Sequence, residues 1–229
     1  MMRSAIVILI LVMCLDLRAE TGLGKIIQIT GDVDITSLST RRRLTPKVGI
    51  EINKNYKIRT GKRAFIEILL NNGTKVFIKE VSVLNINAVK MTENEAPTRI
   101  KMLTGKVRIR VKKSFRSRTL ILTTPTSIVG VSGTDFGVIT SKHETKVIAF
   151  EGAIHIASSN RNIIKAIKLS PREESRILYN KPPEEPVVVP PEILRSWLDY
   201  YEVVDNKKIV IKGEEEKGLI DRILRKRGF

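Results

Sequence analysis

Residues 124–138 carry the sequence T-P-T-S-I-V-G-V-S-G-T-D-F-G-V, and residues 147–156 carry V-I-A-F-E-G-A-I-H-I. Pro125 ends one extended run of residues, and Gly130 and Gly133 interrupt the run that follows it. Glu151–Gly152 then forms a turn before a run in which apolar and polar residues alternate. Such punctuation between stretches rich in β-branched residues is typical of short strands joined by tight turns. This part of the chain therefore predicts a β fold.

Glycine spacing and alternation extend this prediction toward the N-terminus. Gly31, Gly49, Gly61 and Gly73 follow one another at intervals of 18, 12 and 12 residues, and apolar residues alternate with polar ones between them. That rhythm is typical of an antiparallel short-strand sandwich, a β-roll or a short solenoid. We expect a mainly β domain over residues 24–179.

A proline-rich segment follows this domain. Residues 180–191, N-K-P-P-E-E-P-V-V-V-P-P, contain five prolines, which exclude a helix and favour an extended, stiff linker. Residues 192–229 are then predicted to form a small appendage that contains helices. Its aromatic residues Trp197, Tyr200 and Tyr201 either pack back on the β domain or form a docking surface for another protein.

Residues 1–19 have the features of a secretory signal peptide. Arg3 precedes an apolar run of eleven residues, and Ala19 offers a cleavage site. The run is shorter than the ~20 residues that a membrane-spanning helix needs. An uncleaved anchor and lipoprotein processing at Cys14 are the alternatives. We therefore expect a periplasmic or secreted protein.

The charge of the chain points to anionic partners. Its formal net charge is +17, from 41 Lys and Arg residues against 24 Asp and Glu residues. Such a balance favours polyanionic or acidic partners, which outside the cytoplasm include cell-wall polymers, lipid phosphates and acidic proteins. Nucleic acid is disfavoured by the export signal.

The cations are most concentrated between residues 99 and 118, where no acidic residue occurs. Along residues 107–112 they alternate with apolar residues, so Arg108, Arg110 and Lys112 are predicted to share one strand face, ~6.6–6.8 Å apart. Such a row either binds an anionic partner or forms a solvated face that guards an edge strand. The candidate partner-binding residues are Arg99, Lys101, Lys106, Arg108, Arg110, Lys112, Lys113, Arg116 and Arg118.

Catalytic chemistry has little support in the sequence. His143 and His155 are the two histidines, and both are predicted to be solvated surface residues. No Cys and His cluster has metal-ligand spacing, and no Gly-rich phosphate loop occurs. Asp32 and Asp34 share a strand face but lack the apolar surroundings that acid–base catalysis needs. We expect no enzyme activity, no metal and no cofactor.

The opening stretch also resembles the bacterial FecR domain. Members of that family tend to carry T-P-x-A-x-x-x-V-R-G-T-E-F-x-V followed by an E-G-x-V-x-V strand, and here Ser132 stands where the family usually has Arg. Weaker matches precede this segment in the family's order, at residues 27–35, 56–61, 65–74 and 103–111. The resemblance covers residues 24–160.

The motif residues of this resemblance are expected to maintain the fold. Glycine supplies a backbone conformation that other residues rarely adopt, Thr and Asp side chains bond turn amides, and Phe fills the core. The residues concerned are Gly133, Thr134, Asp135, Phe136, Glu151 and Gly152.

The family is named after a membrane-spanning regulator of iron uptake, whose cytoplasmic segment contacts a sigma factor and whose periplasmic part receives a signal. Only Met1–Ser4 precede the apolar run here, so the resemblance is expected to carry the extracytoplasmic β domain alone. We then expect an exported, non-enzymatic binding or scaffold protein of the cell envelope that uses a basic sheet face. The alternatives are an envelope-signalling component that senses an outer-membrane partner, and a carbohydrate-active enzyme that uses Asp32, Asp34 or Asp135.

Overall fold

The computed structural model describes residues 22–88, 97–112, 119–198, 201–204 and 208–211. Within them the chain forms two sheets that share one long strand. Sheet 1 contains, in spatial order, β4 (Glu51–Ile52), β1 (Gly24–Thr30), β6 (Phe65–Leu70), β7 (Lys75–Ile78), the second half of β9 (Thr98–Arg110), β12 (Asp135–Thr140), β13 (Glu144–Glu151), β16 (Glu173–Leu178) and β17 (Val187–Val188).

Sheet 2 contains β3 (Arg43–Leu44), β2 (Val33–Ser37), β5 (Tyr56–Thr60), β8 (Val83–Ala88), the first half of β9, β10 (Thr119–Thr123), β11 (Ser127–Ser132), β14 (Ile154–Ser158) and β15 (Ala166–Leu169). One helix, α1 (Pro191–Leu198), follows the sandwich. A separate antiparallel pair consists of β18 (Tyr201–Val204) and β19 (Lys208–Ile211).

The two sheets enclose one apolar core. Ile26 and Ile66 of sheet 1 and Ile35 and Ile58 of sheet 2 are fully buried in the same cluster. Alternate residues of each strand face this cluster because successive side chains of a strand point to opposite sides. The predicted mainly β fold is confirmed. The pairing is mixed and not purely antiparallel as expected, because among the described strands β9 and β10 form one parallel pair.

Strand β9 crosses from sheet 2 to sheet 1 at Gly105. This residue has φ of +108°, and a Cβ atom there would lie 2.4 Å from the Cα of Ser82. Before the crossing the odd-numbered residues Arg99 and Lys101 point outward, whereas after it the even-numbered Arg108 and Arg110 do so. The crossing therefore places Arg99 and Lys101 on the outer face of sheet 2, and Arg108 and Arg110 of the predicted cationic row on the outer face of sheet 1.

The proline-rich segment and the first helix return to the sandwich. Val187–Val188 pairs with Glu173 and Glu174 of β16, and Val189 is fully buried. Helix α1 begins at Pro191, which suits the first helical turn because proline lacks an amide hydrogen. The segment is extended, as its prolines require, and it lies along the edge of sheet 1.

Strand β19 belongs to the predicted appendage. The signal segment, Tyr200 and residues 212–229 of the appendage lie outside the described residues. The described helix is too short to cross a membrane.

Candidate interaction site

The G-T-D-F motif leads directly into strand β12. Gly133 has φ of +66°, in the region that favours glycine, and Phe136 is fully buried in the core, so both expected roles are met. Asp135 lies on the opposite face of β12, toward the outside of sheet 1. The carboxylate of Asp135 accepts hydrogen bonds from arginine side chains, whereas we expected it to bond turn amides.

Two arginines of β9 converge on this carboxylate. Arg108 donates through Nε to Oδ1 at 2.9 Å and through Nη2 to Oδ2 at 2.7 Å, and Arg110 donates through Nε to Oδ2 at 2.9 Å. The antiparallel register places Asp135 beside Arg110 and Gly137 beside Arg108, which brings both guanidinium groups within reach. The side chains of Arg108 and Asp135 are only 4% and 5% exposed. This is a bidentate, buried ion pair.

Helix α1 covers the pair. The guanidinium Nη1 of Arg108 donates to the carbonyl oxygen of Trp197 at 3.3 Å, and its Cζ lies 4.9 Å from the ring centre of Phe150. Trp197 is 1% exposed and packs with Ile148, Val189 and Leu194 in a second, smaller apolar cluster outside sheet 1. The buried arginine therefore contacts the sheet and the helix at once.

A glycine in the middle of β12 makes room for the indole. A Cβ atom at Gly137 would lie 2.8 Å from both Cη2 and Cζ3 of Trp197, closer than carbon atoms approach. Lys106 of β9 also contacts the indole, because its Nζ lies 4.0 Å from the ring centre of Trp197. We call this set of contacts, formed by Lys106, Arg108, Asp135, Gly137 and Trp197, the tryptophan notch.

The notch affects the titration of one of its cations. Partial burial beneath α1 lowers the pKa of the Lys106 ammonium from its ordinary value. Burial disfavours the charged form, and the ring face of Trp197 compensates part of that cost by attracting the cation.

The remaining motif residues have structural positions. Gly152 has φ of +75° at the turn after β13, and a Cβ atom there would lie 2.7 Å from Cγ2 of Thr134. Glu151 ends β13 and is exposed. The hydroxyl of Thr134 is buried and has no hydrogen-bond partner within the described ranges, so its expected bond to a turn amide is not formed.

The structure divides the nine candidate cations into three groups. Arg99 and Lys101 are exposed on the outer face of sheet 2, and Lys112 is exposed after the end of β9. Lys106, Arg108 and Arg110 belong to the outer face of sheet 1, where the expectation of a solvated face does not hold for the buried Arg108. The third group, Lys113, Arg116 and Arg118, lies outside the described residues.

The aromatic residues of the appendage were expected either to pack on the β domain or to dock another protein. Trp197 packs on the β domain itself, as one of the two predictions stated. Tyr201 begins strand β18, and Tyr200 lies outside the described residues. In the sequence, the signal for this docking was Gly137, because a glycine inside a strand often marks a close approach by another part of the chain.

No group of three or more His, Cys, Asp or Glu residues in the described ranges could hold a metal ion. His143 and His155 are exposed, and the carboxylate of Asp34 lies 3.4 Å from Nε of Arg43. What the site offers is an apolar, charge-lined recess for an aromatic side chain.

Comparison with protein families identifies the domain. Residues 56–155 match the model of the FecR protein family. These residues are a FecR domain. The resemblance seen in the sequence is thereby confirmed, and the FecR domain supplies Lys106, Arg108, Asp135 and Gly137 to the notch, whereas Trp197 lies beyond its end.

Two solved structures have a similar fold. Both are crystal structures of a candidate anti-sigma factor from Parabacteroides distasonis, with a TM-score of 0.52 and 16% sequence identity. Each alignment covers 64% of this chain and 67% of the other. At this identity the likeness concerns the fold alone. No curated protein matches the chain significantly in sequence.

Proposed function

We propose that this protein is an exported, non-enzymatic signalling component of the bacterial cell envelope, whose docked C-terminal helix responds to a protein partner. The observation that carries the proposal is the tryptophan notch. Asp135 of the FecR motif contributes its carboxylate to the recess that takes Trp197 of the chain's own helix. A signalling role agrees with the FecR domain and with the similar fold of a candidate anti-sigma factor.

In this proposal the notch acts as an element with two states, docked and undocked. Its apolar cluster consists of four buried residues and Phe150, so the docked state gains only a modest area of burial. A partner that binds the notch or the freed helix shifts the equilibrium by its difference in affinity for the two states. Undocking would present Ile148 and Phe150, which now face α1, to such a partner.

The absence of catalysis is part of the proposal. Two of the three acids that the carbohydrate-active alternative would use are engaged in ion pairs, Asp34 with Arg43 and Asp135 with two arginines. Export is supported by the apolar run that follows Arg3.

The test is a cellular one. Deletion of the gene is expected to change the transcript profile under envelope stress, and the unaltered gene is expected to restore it. Trp197→Ala removes the docked side chain and should fix the response in one state whether or not stress is applied. Arg195→Ala changes an exposed residue of the same helix and should behave as the unaltered protein.

Protein levels in the envelope fraction are compared by immunoblot, so that loss of the protein is not mistaken for loss of signalling. An unchanged transcript profile after deletion would contradict the signalling role. Full restoration of the response by Trp197→Ala would contradict the role of the notch.

A further inference from the structure

The outer face of sheet 2 carries a set of exposed or half-exposed cations at some distance from the notch. They come from four strands of the sheet, β3, β5, β9 and β15. We call them the cationic face, and they are Arg43, Lys57, Arg59, Arg99, Lys101 and Lys168.

The two sheets differ in how their cations are neutralised. On sheet 1, Lys75 pairs with Glu67, Lys146 with Glu174 and Arg108 with Asp135. On sheet 2 the described ion pairs include only Arg43 with Asp34, at 3.4 Å and with the Arg43 side chain 80% exposed. The positive charge of the cationic face is therefore directed to the outside of the molecule.

The positions of these cations suit an extended partner. Lys57 and Lys101 stand on either side of Asn85 in one cross-strand row, so their strands are two apart, or about 10 Å. Side chains at that spacing on a sheet surface do not converge on one small anion. A partner with many anionic groups spread over a surface matches them better.

The centre of the face is open and partly apolar. A Cβ atom at Gly130 would meet nothing within 4 Å, so no part of the chain that the structure describes covers this point. Ile128 is 38% exposed and Leu103 is 36% exposed among the cations. Exposed apolar side chains surrounded by Lys and Arg are a combination that favours the headgroup region of a bilayer.

We propose that the cationic face lies against a membrane surface of anionic phospholipids. Each Lys or Arg near such a surface contributes favourably, and the attraction falls off within a Debye length. The face would orient the protein with sheet 1 and its tryptophan notch accessible from the aqueous side. The inference stands apart from the proposed signalling function, because it uses the opposite sheet and different residues.

The test is sedimentation of the purified full chain with vesicles. Vesicles of phosphatidylglycerol and phosphatidylcholine should retain the protein at low salt, and vesicles of phosphatidylcholine alone should not. The combined change Arg59→Glu, Arg99→Glu and Lys101→Glu should weaken retention at least about tenfold. The matched control, Lys47→Glu, Lys142→Glu and Lys181→Glu, makes the same change in net charge at exposed residues elsewhere and should retain most of the binding.

Circular dichroism checks the fold of each variant, and the milder set Arg59→Gln, Arg99→Gln and Lys101→Gln replaces the reversal if that variant does not fold. Equal loss of binding in face and control variants would overturn the proposal, because net charge alone would then explain retention. Binding to soluble polyphosphate without binding to anionic vesicles would also overturn the proposal, because the partner would then be a free polyanion and not a membrane. A failed vesicle test leaves the transcript response of the Trp197 variant unaffected, so the two proposals fail independently.

Discussion

At the scale of single residues, cations that are close in the sequence differ in solvent exposure. Arg108 is buried against Asp135, whereas Lys101, only seven positions earlier, is exposed. Burying a guanidinium and a carboxylate costs several kcal/mol of desolvation per ion, and their mutual hydrogen bonds offset that cost only in good geometry. The bidentate contact of Arg108 with Asp135, extended by Arg110, supplies that geometry. We infer that this ion pair mainly fixes the position of α1 and adds little to the free energy of unfolding.

Asp135→Asn is therefore expected to destabilise the protein by about 3 kcal/mol, because it leaves the buried guanidinium group of Arg108 opposite a neutral amide. Asp34→Asn makes the same change in an exposed pair and should cost less than about 1 kcal/mol. Urea unfolding followed by far-UV circular dichroism measures both. Equal costs for the two variants would show that the buried pair has no special weight.

Sequence reasoning predicted some of these residues well and others only in part. The alternation over residues 107–112 correctly placed Arg108 and Arg110 on one face, because period two is a local property of a strand. It could not predict that this face is covered, since the covering residue, Trp197, is 89 positions from Arg108. For the same reason Asp135 was assigned to turn amides instead of to arginines that lie in another strand.

At the scale of elements, docking of α1 depends on the missing side chain at Gly137. Gly137→Val is expected to expel the indole, because even a Cβ atom would lie 2.8 Å from the ring. Valine favours strands, so the sheet itself should persist. Trp197 is the only tryptophan of the chain. Its emission should shift to longer wavelength and become more accessible to acrylamide, with little change in far-UV circular dichroism.

The matched control for this change is Gly130→Val on the outer face of sheet 2, where an added Cβ would meet nothing within 4 Å. Its tryptophan emission should equal that of the unaltered protein. Unchanged emission in Gly137→Val would mean that the notch does not hold Trp197 in solution.

The sequence predicts strands and helix starts that depend on neighbouring residues, but it does not predict which elements pair with one another. The strands around Gly133 and Gly152 and the start of α1 at Pro191 follow from turn and capping chemistry. The proline-rich segment contains the short strand β17. Nothing local indicated that Val187–Val188 would pair with β16, because pairing depends on an edge that other parts of the chain create.

At the scale of the whole molecule, β9 belongs to both sheets and connects them covalently. The strand contributes Met102 to the core from sheet 2 and Val107 from sheet 1, and both are fully buried in the same cluster. The chain can pass between the sheets only because Gly105 adopts a positive φ at close contact with Ser82, whose hydroxyl accepts a hydrogen bond from the Lys106 amide at 3.0 Å. The crossing depends on contacts between strands that are far apart in the sequence, such as that between Gly105 and Ser82, so it was not predicted from the sequence.

Gly105→Ala should therefore weaken both sheets together. The positive φ alone costs on the order of 1–3 kcal/mol for a residue with a side chain, and the contact with the Ser82 backbone adds to it. Gly49→Ala is the matched control, since Gly49 also has a positive φ, +89°, but an added Cβ there would meet nothing within 4 Å.

Unfolding is followed by Trp197 emission, which reports on sheet 1, and by far-UV circular dichroism, which reports on both sheets. We expect the two transitions to coincide in every variant and to shift further for Gly105→Ala than for Gly49→Ala. Separate transitions for the two signals, or equal shifts for the two variants, would contradict the role of β9 as the joint between the sheets.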